Sequence, residues 1–159
     1  MDSKEIQETP TQTDITVPET SLNDSNTAPE VGWSIDKGMV RENNEDSLAT
    51  VTLDQASESA TQTIGVYAVA DGMGGEASGE VASKLAIRSA VQEVMGHLAE
   101  VDDAMPEHYH AWLSQAMDVA NQMVRETADS EGKKMGTTLV MAVVAGNDVH
   151  IANVGDSRA

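Results

Sequence analysis

The sequence predicts an α+β fold with largely antiparallel sheet, and three observations carry that prediction. Short β-patterned runs come first, then two long helical patterns side by side, then two more strands, in the order β-β-β-α-α-β-β. Turn-length connections join the strands, which favours antiparallel neighbours over parallel crossovers. The core is also built almost without aromatics. Hydrophobic residues make up 40% of the 159, but aromatics only 3%, and Phe is absent. Val, Ala, Leu, Ile and Met must then do the packing, which suits helices laid on a sheet. The length is that of one ordinary domain, and no internal repeat is visible.

Residues 1–30 read as a disordered acidic leader or linker, and residues 31–159 as the folded part. The leader holds Pro10, Pro18 and Pro29, no aromatic residue, and many Thr, Ser, Asp and Glu. Such a segment cannot bury enough apolar surface to offset its ordering entropy. Val31 to Ile35 alternates and predicts a first strand, with a turn at Asp36-Lys37-Gly38 and a polar loop from Val40 to Asp46. Ser47 to Leu53 predicts a second strand, polar residues through Gln62 a hairpin connection, and Thr63 to Ala70 a third strand ending at Asp71. From Glu76, Ile87, Val91, Val94 and Leu98 fall at helical spacing. The small residues Ala77, Ser78, Gly79 and Ala82 would let this helix start close against the sheet. Pro106 suits the first turn of a second helix. Its apolar face runs Tyr109, Trp112, Leu113, Ala116, Met117, Ala120, Met123 and Val124. Thr137 to Ala145 and Val149 to Val154 predict a final hairpin turning at Gly146-Asn147-Asp148.

The chemistry centres on Val66-Tyr67-Ala68-Val69-Ala70-Asp71-Gly72-Met73-Gly74-Gly75. An apolar strand carries one carboxylate to its end, where desolvation is costly unless something positive meets it. The glycines allow close backbone approach to a ligand. Such a turn reads as a metal or phosphate site, with Asp71 as a plain helix cap the alternative. Arg41, Glu45 and Asp46 share one loop, and Asp156 ends the last strand beside Gly155. Carboxylates converging at one sheet edge repel unless a hard divalent cation such as Mg²⁺ or Mn²⁺ relieves them, and an arginine there is suited to grip a phosphate. With no Cys for a nucleophile or thiolate site, the pattern points to metal-assisted phosphoryl hydrolysis. Gly74 and Gly79 have the spacing of a phosphate-binding loop, but Glu80 stands where that motif needs Lys.

Charge narrows the partners. A formal net charge of −18 disfavours nucleic acid and anionic membrane surfaces. No apolar run is long enough to span a bilayer, and the acidic N-terminus lacks the basic and apolar regions of a signal peptide, so a cytoplasmic protein is expected.

Four segments together carry a resemblance. They are Arg41-Glu42-Asn43-Asn44-Glu45-Asp46, Val69-Ala70-Asp71-Gly72-Met73-Gly74-Gly75, Met135-Gly136-Thr137-Thr138 and Asn153-Val154-Gly155-Asp156-Ser157-Arg158. In this order they resemble the motifs of the protein phosphatase 2C family, metal-dependent serine/threonine phosphatases, and the Asp-Gly-Met-Gly-Gly form resembles its bacterial branch. The resemblance covers Val31 onward and implies an α-β-β-α sandwich with a two-metal centre between the sheets. It also implies that the domain is incomplete at the C-terminus, because the family pattern continues through further strands and two later metal-ligating aspartates.

Position by position, the resemblance implies that Asp71 bridges two Mg or Mn ions and that the Gly72 carbonyl ligates one. Glu45 and Asp46 would hold metal-bound waters or complete the coordination, and Asp156 would contribute to a third ion. Arg41 would hold the substrate phosphate. Thr137 and Thr138 would be structural, beneath the site. Met73 stands where some members carry a histidine acid, so leaving-group protonation would come from water or elsewhere. His97, His108, His110 and His150 match no family site and are expected on the surface or on helix faces. The implied function is hydrolysis of phosphoserine and phosphothreonine in proteins by the full-length protein, with phosphoproteins as substrates and an opposing serine/threonine kinase. This chain alone is expected to be inactive. The alternative is a non-catalytic phosphoprotein-binding pseudophosphatase or regulatory domain.

Overall fold

A computed structural model of the chain describes residues 30–40, 43–56, 61–74, 78–101 and 104–159. The expected leader up to residue 29, Arg41, the connection 57–60 and residues 75–77 lie outside the described residues. The elements are β1 (Asp46–Ala56), β2 (Thr61–Gly74), α1 (Ser78–Glu100), α2 (Pro106–Glu131), β3 (Met135–Thr137), β4 (Leu139–Ala145) and β5 (Asp148–Val154). The sheet runs β1-β2-β4-β5, with β3 also paired to β2, and every pairing is antiparallel.

The period-2 alternation of the strands sorts the sheet into two faces. On one, Ile64, Val66, Ala68 and Ala70 of β2 and Leu139, Met141, Val143 and Ala145 of β4 are all buried. Both helices cover this face, α1 over β2 and β1, and α2 towards β5. Helix α1 turns Ala82, Ala86, Ile87, Ala90, Val94 and Leu98 inward. Its small residues bring it close enough for the Ser83 hydroxyl to meet that of Ser47 at 2.8 Å. The expected apolar face of α2 is buried at Tyr109, Trp112, Leu113, Ala116, Ala120 and Val124. At its N-terminus the Met105 amide donates to Nδ1 of His108 at 3.0 Å, one half of a capping box. At its C-terminus the Gly132 and Lys133 amides return to the carbonyls of Asp129 and Ala128.

The other face is open among the described residues. Tyr67 is half-buried there, and Val69, Val149 and Ile151 are exposed. The chain thus supplies one helix layer and one sheet layer of the expected α-β-β-α sandwich.

Several expectations need correction. Val31 to Ile35 forms no strand, and Val31, Trp33 and Ile35 are all exposed. Alternation makes a strand only where a neighbour takes the backbone, and no described strand does so. The third predicted strand does not stop at Asp71 but runs on to Gly74, because β3 pairs with Gly72, Met73 and Gly74. The single strand predicted from Thr137 to Ala145 is broken at Thr138 into β3 and β4. The observed order is therefore β-β-α-α-β-β-β. His150 is neither on the surface nor on a helix: it is buried in β5, with its ring stacked on Tyr109 at 4.7 Å. Tyr109 and Trp112 form a ring cluster there with the imidazoles of His97, His108 and His150. His97, His108 and His110 do lie on helices, and each also stacks on or abuts a ring of this cluster.

Candidate metal centre

Asp71 sits where three strands meet, and its main chain is held from the Thr138 side. Its register partner on β1 is Asp46. On the other side, the Thr138 amide donates to the Asp71 carbonyl at 2.9 Å. The neighbouring Gly72 amide points the opposite way, donating to the Glu45 carbonyl at 3.1 Å. Since the Asp71 main chain is spent towards Thr138, Asp46 and Asp71 form a non-hydrogen-bonded cross-strand pair. That is the closer of the two antiparallel pair types, with Cα atoms about 4.5 Å apart. Two carboxylates are thus held opposite one another, on the open face of the sheet and exposed to solvent. A cation joining like charges so placed relieves their repulsion across the strand pair.

Both line a cleft of about 290 Å³, together with Leu48, Val69, Ser157 and the segment Ser34 to Asp36. Asp36, read from sequence only as a turn residue, does make that turn: its Oδ1 accepts from the Gly38 amide at 2.6 Å. Its place in the cleft had no signal in the sequence.

The other expected ligands are placed differently. Gly72 is buried against the start of α1, where a Cβ would lie 2.0 Å from the Gly79 carbonyl oxygen and 2.7 Å from that of Glu45. Backbone meets backbone here, so both glycines are required by contact. The Glu45 carboxylate rests against the same joint, 2.8 Å from where a Cβ on Gly79 would stand. There it faces the first turn of α1, where a negative charge is favourable. Asp156 is exposed in the turn after β5, next to Ser157 of the cleft. The Arg158 guanidinium is turned back on its own loop, donating to the Ser157 and Gly155 carbonyls. Arg41 lies outside the described residues. Among the described residues, no three Asp, Glu or His side chains come together as a ready metal site. The two carboxylates that are brought together, Asp46 and Asp71, offer only anionic oxygen donors. They fit a hard divalent cation, as part of a coordination shell rather than the whole.

Two hydroxyls missed as site residues complete the geometry. The Asp71 amide donates to Oγ1 of Thr138 at 3.0 Å, and that oxygen lies 2.7 Å from Oγ of Ser157. The Thr137 hydroxyl is shared between the Asp71 and Thr138 carbonyls at 2.9 and 2.8 Å. A Thr-Thr doublet closing a Gly turn was the available signal, but strand propensity alone explained it.

The chain matches known proteins over this same region. The profile described as Protein phosphatase 2C matches residues 39–159. A serine/threonine phosphatase stp of Listeria innocua is 38% identical over 128 residues, 77% of this chain and 46% of that protein. The serine/threonine protein phosphatase PstP of Mycobacterium tuberculosis is 36% identical over 126 residues, 77% of this chain and 21% of that protein. Among solved structures, the catalytic domain of PstP in complex with two manganese ions is similar with a TM-score of 0.55 and 36% identity, covering 77% of this chain and 46% of that one. The chain spans less than half the length of these curated relatives. From Met39 through the Asp71 strand to the Ser157 turn, the chain belongs to the protein phosphatase 2C family.

Proposed function

We propose that the full-length protein hydrolyses phosphoserine and phosphothreonine in proteins, in a reaction that depends on two Mg²⁺ or Mn²⁺ ions. The observation that supports this most is the Asp46–Asp71 pair on the open sheet face. Family membership and the manganese complex of a relative agree with it. When bound, the ions would supply an activated water and offset the charge of the phosphate. Asp71 would bridge them, the Gly72 carbonyl would ligate one, and Glu45 and Asp46 would hold their waters or complete the shell. Asp156 would contribute to a third ion. Arg41 would bind the substrate phosphate bidentately, and Met73, exposed at the cleft end of β2, would give no proton to the leaving group. Phosphoproteins are the substrates, a serine/threonine kinase the opposing activity, and the cytoplasm the site of action. No described helix is long and apolar enough to cross a membrane.

The test is Mn²⁺-dependent turnover of a phosphoserine peptide by the full-length gene product. Asp71→Asn should abolish turnover and weaken Mn²⁺ binding with the fold retained. Unchanged metal binding in calorimetry overturns the reading. Arg41→Ala should raise KM by a large factor with less effect on kcat. The 159-residue chain by itself should bind Mn²⁺ weakly, turn over no phosphopeptide, and associate through its open sheet face. Peptide binding without turnover by the full-length protein would favour a phosphoprotein-binding regulatory domain instead.

A further inference from the structure

The register through Asp71 contains an irregularity. Val69 pairs with Val140, and Gly72 with Thr137, so Asp71 and Thr138 are opposite with no slip. A regular antiparallel rung there would exchange two main-chain hydrogen bonds. One is present, from the Thr138 amide to the Asp71 carbonyl. The other is diverted: the Asp71 amide goes to the Thr138 side-chain hydroxyl instead of its carbonyl. The Thr138 carbonyl is taken by Thr137 Oγ1. Thr138 is 4% exposed, so this hydroxyl is a built part of the interior.

The diverted bond has an onward connection. Thr138 Oγ1 meets Ser157 Oγ at 2.7 Å, and Ser157 both lines the cleft and follows Asp156 directly. The loop is pressed onto Thr138 as well. Gly155 has φ 101°, and a Cβ there would stand 2.8 Å from the Thr138 methyl. The Asn153 side-chain amide donates to the Ser157 carbonyl and closes the turn. The amide of one expected ligand residue is thereby tied, through two hydroxyls, to the loop that carries another.

We propose that Thr138 and Ser157 are positioning residues for the metal centre, a hydroxyl relay that sets the Asp71 main chain and couples it to the Asp156 loop. The proposal rests on the metal-centre reading above. With the Thr138 hydroxyl gone, the Asp71 amide has its partner removed, and the rung can restore the bond to the Thr138 carbonyl only by moving the Asp71 carboxylate. Outer-shell groups of this kind are worth about 10- to 100-fold in metal affinity or activity.

The test uses the full-length gene product with Thr138→Val, Thr138→Ser, Ser157→Ala and Asp71→Asn. It reads Mn²⁺ affinity by calorimetry, kcat and KM for a phosphopeptide, and the melting temperature without metal. Thr138→Val should weaken Mn²⁺ binding about tenfold and lower kcat with little change in KM, while Thr138→Ser retains affinity within about threefold. Ser157→Ala, which leaves the Asp71–Thr138 bond in place, should weaken binding by a smaller factor. If Thr138→Val lowers the melting temperature but leaves Mn²⁺ affinity unchanged, Thr138 is only structural and the proposal fails. If Thr138→Ser is as poor as Val, keeping the hydroxyl does not preserve the centre, the fit of the whole threonine side chain is responsible, and the proposal again fails. Should Thr138→Val not fold, Ser157→Ala decides, with unchanged affinity overturning the relay. If Asp71→Asn itself leaves Mn²⁺ binding intact, it is the metal-centre reading that falls, and the relay with it.

Discussion

The two ends of this core are packed by opposite means. At the Asp71 end, glycines make the close contacts: the Gly72 backbone lies on that of Gly79, with the Glu45 carboxylate against the same joint, and Gly155 lies on the Thr138 side chain. At the far end, rings fill the space. Trp112 stacks against His97 and His108 at 5.3 and 5.6 Å and meets Tyr109 edge-on, while Tyr109 stacks on His150. Backbone joints have no rotamers with which to absorb an added atom, so they fix position closely and tolerate nothing. Ring clusters lose area when trimmed but can re-pack. The end that holds the carboxylates is the one built without slack.

Enlarging the rigid end should do the most damage. Gly72→Ala places a methyl 2.0 Å from a carbonyl oxygen, and the start of α1 must detach for it to fit. A loss of about 4 kcal/mol or more in urea unfolding is expected. A loss under about 1 kcal/mol would show that the joint is not rigid. Trimming the adaptable end should cost less. Trp112→Ala removes the central ring, 8% exposed, and is expected to cost about 3 kcal/mol; Trp112→Phe should recover a good part of that. If both cost the same, the stack matters by its indole alone and not by area.

Smaller still is the helix start within the ring cluster. His108→Ala takes the acceptor from the Met105 amide, with an expected loss of about 1 kcal/mol. His108→Asn, which keeps an acceptor, should do less harm. The last contrast is in pH. Burial pushes the Tyr109 hydroxyl above its ordinary value of 10.0, and the Gln62 amide offsets this in part without completing a hydrogen bond by distance and angle. The folded chain therefore keeps a proton that the unfolded chain loses, and stability should fall as pH rises past about 10. Tyr109→Phe should flatten that fall and be near neutral at pH 7. An unchanged alkaline limb in this variant would place the sensitivity elsewhere.

Legibility in the sequence divided along the same line. The helices were plain because Ile87, Val91, Val94 and Leu98, and then Tyr109 through Val124, repeat at helical spacing, and a buried stripe leaves that trace whatever it packs on. The small residues at the start of α1 announced a close approach, and the Gly72–Gly79 joint is that approach. Asp71 was legible as the carboxylate of an apolar strand, although that strand runs on past it to Gly74. What periodicity could not carry was partnership. Val31 to Ile35 alternates as well as any strand here, yet pairing depends on a neighbour, and alternation does not name one. The break at Thr138 was hidden for the same reason: a side-chain hydroxyl standing in for a carbonyl leaves no mark on a β-branched run. His150 was misplaced because imidazole is polar by composition, while its flat ring packs well against another ring.

The Asp46–Asp71 rung also has a place in time. It is the rung farthest from Ala56–Thr61, where the β1–β2 hairpin begins to zip. Zipping from that turn closes it last, and it is the rung where two like charges meet. A half-zipped chain cannot yet present both carboxylates to a cation. A divalent ion bound there would act as a latch on a finished hairpin rather than as a seed for it. Mn²⁺ should accordingly slow the unfolding limb of a chevron and leave the folding limb where it is.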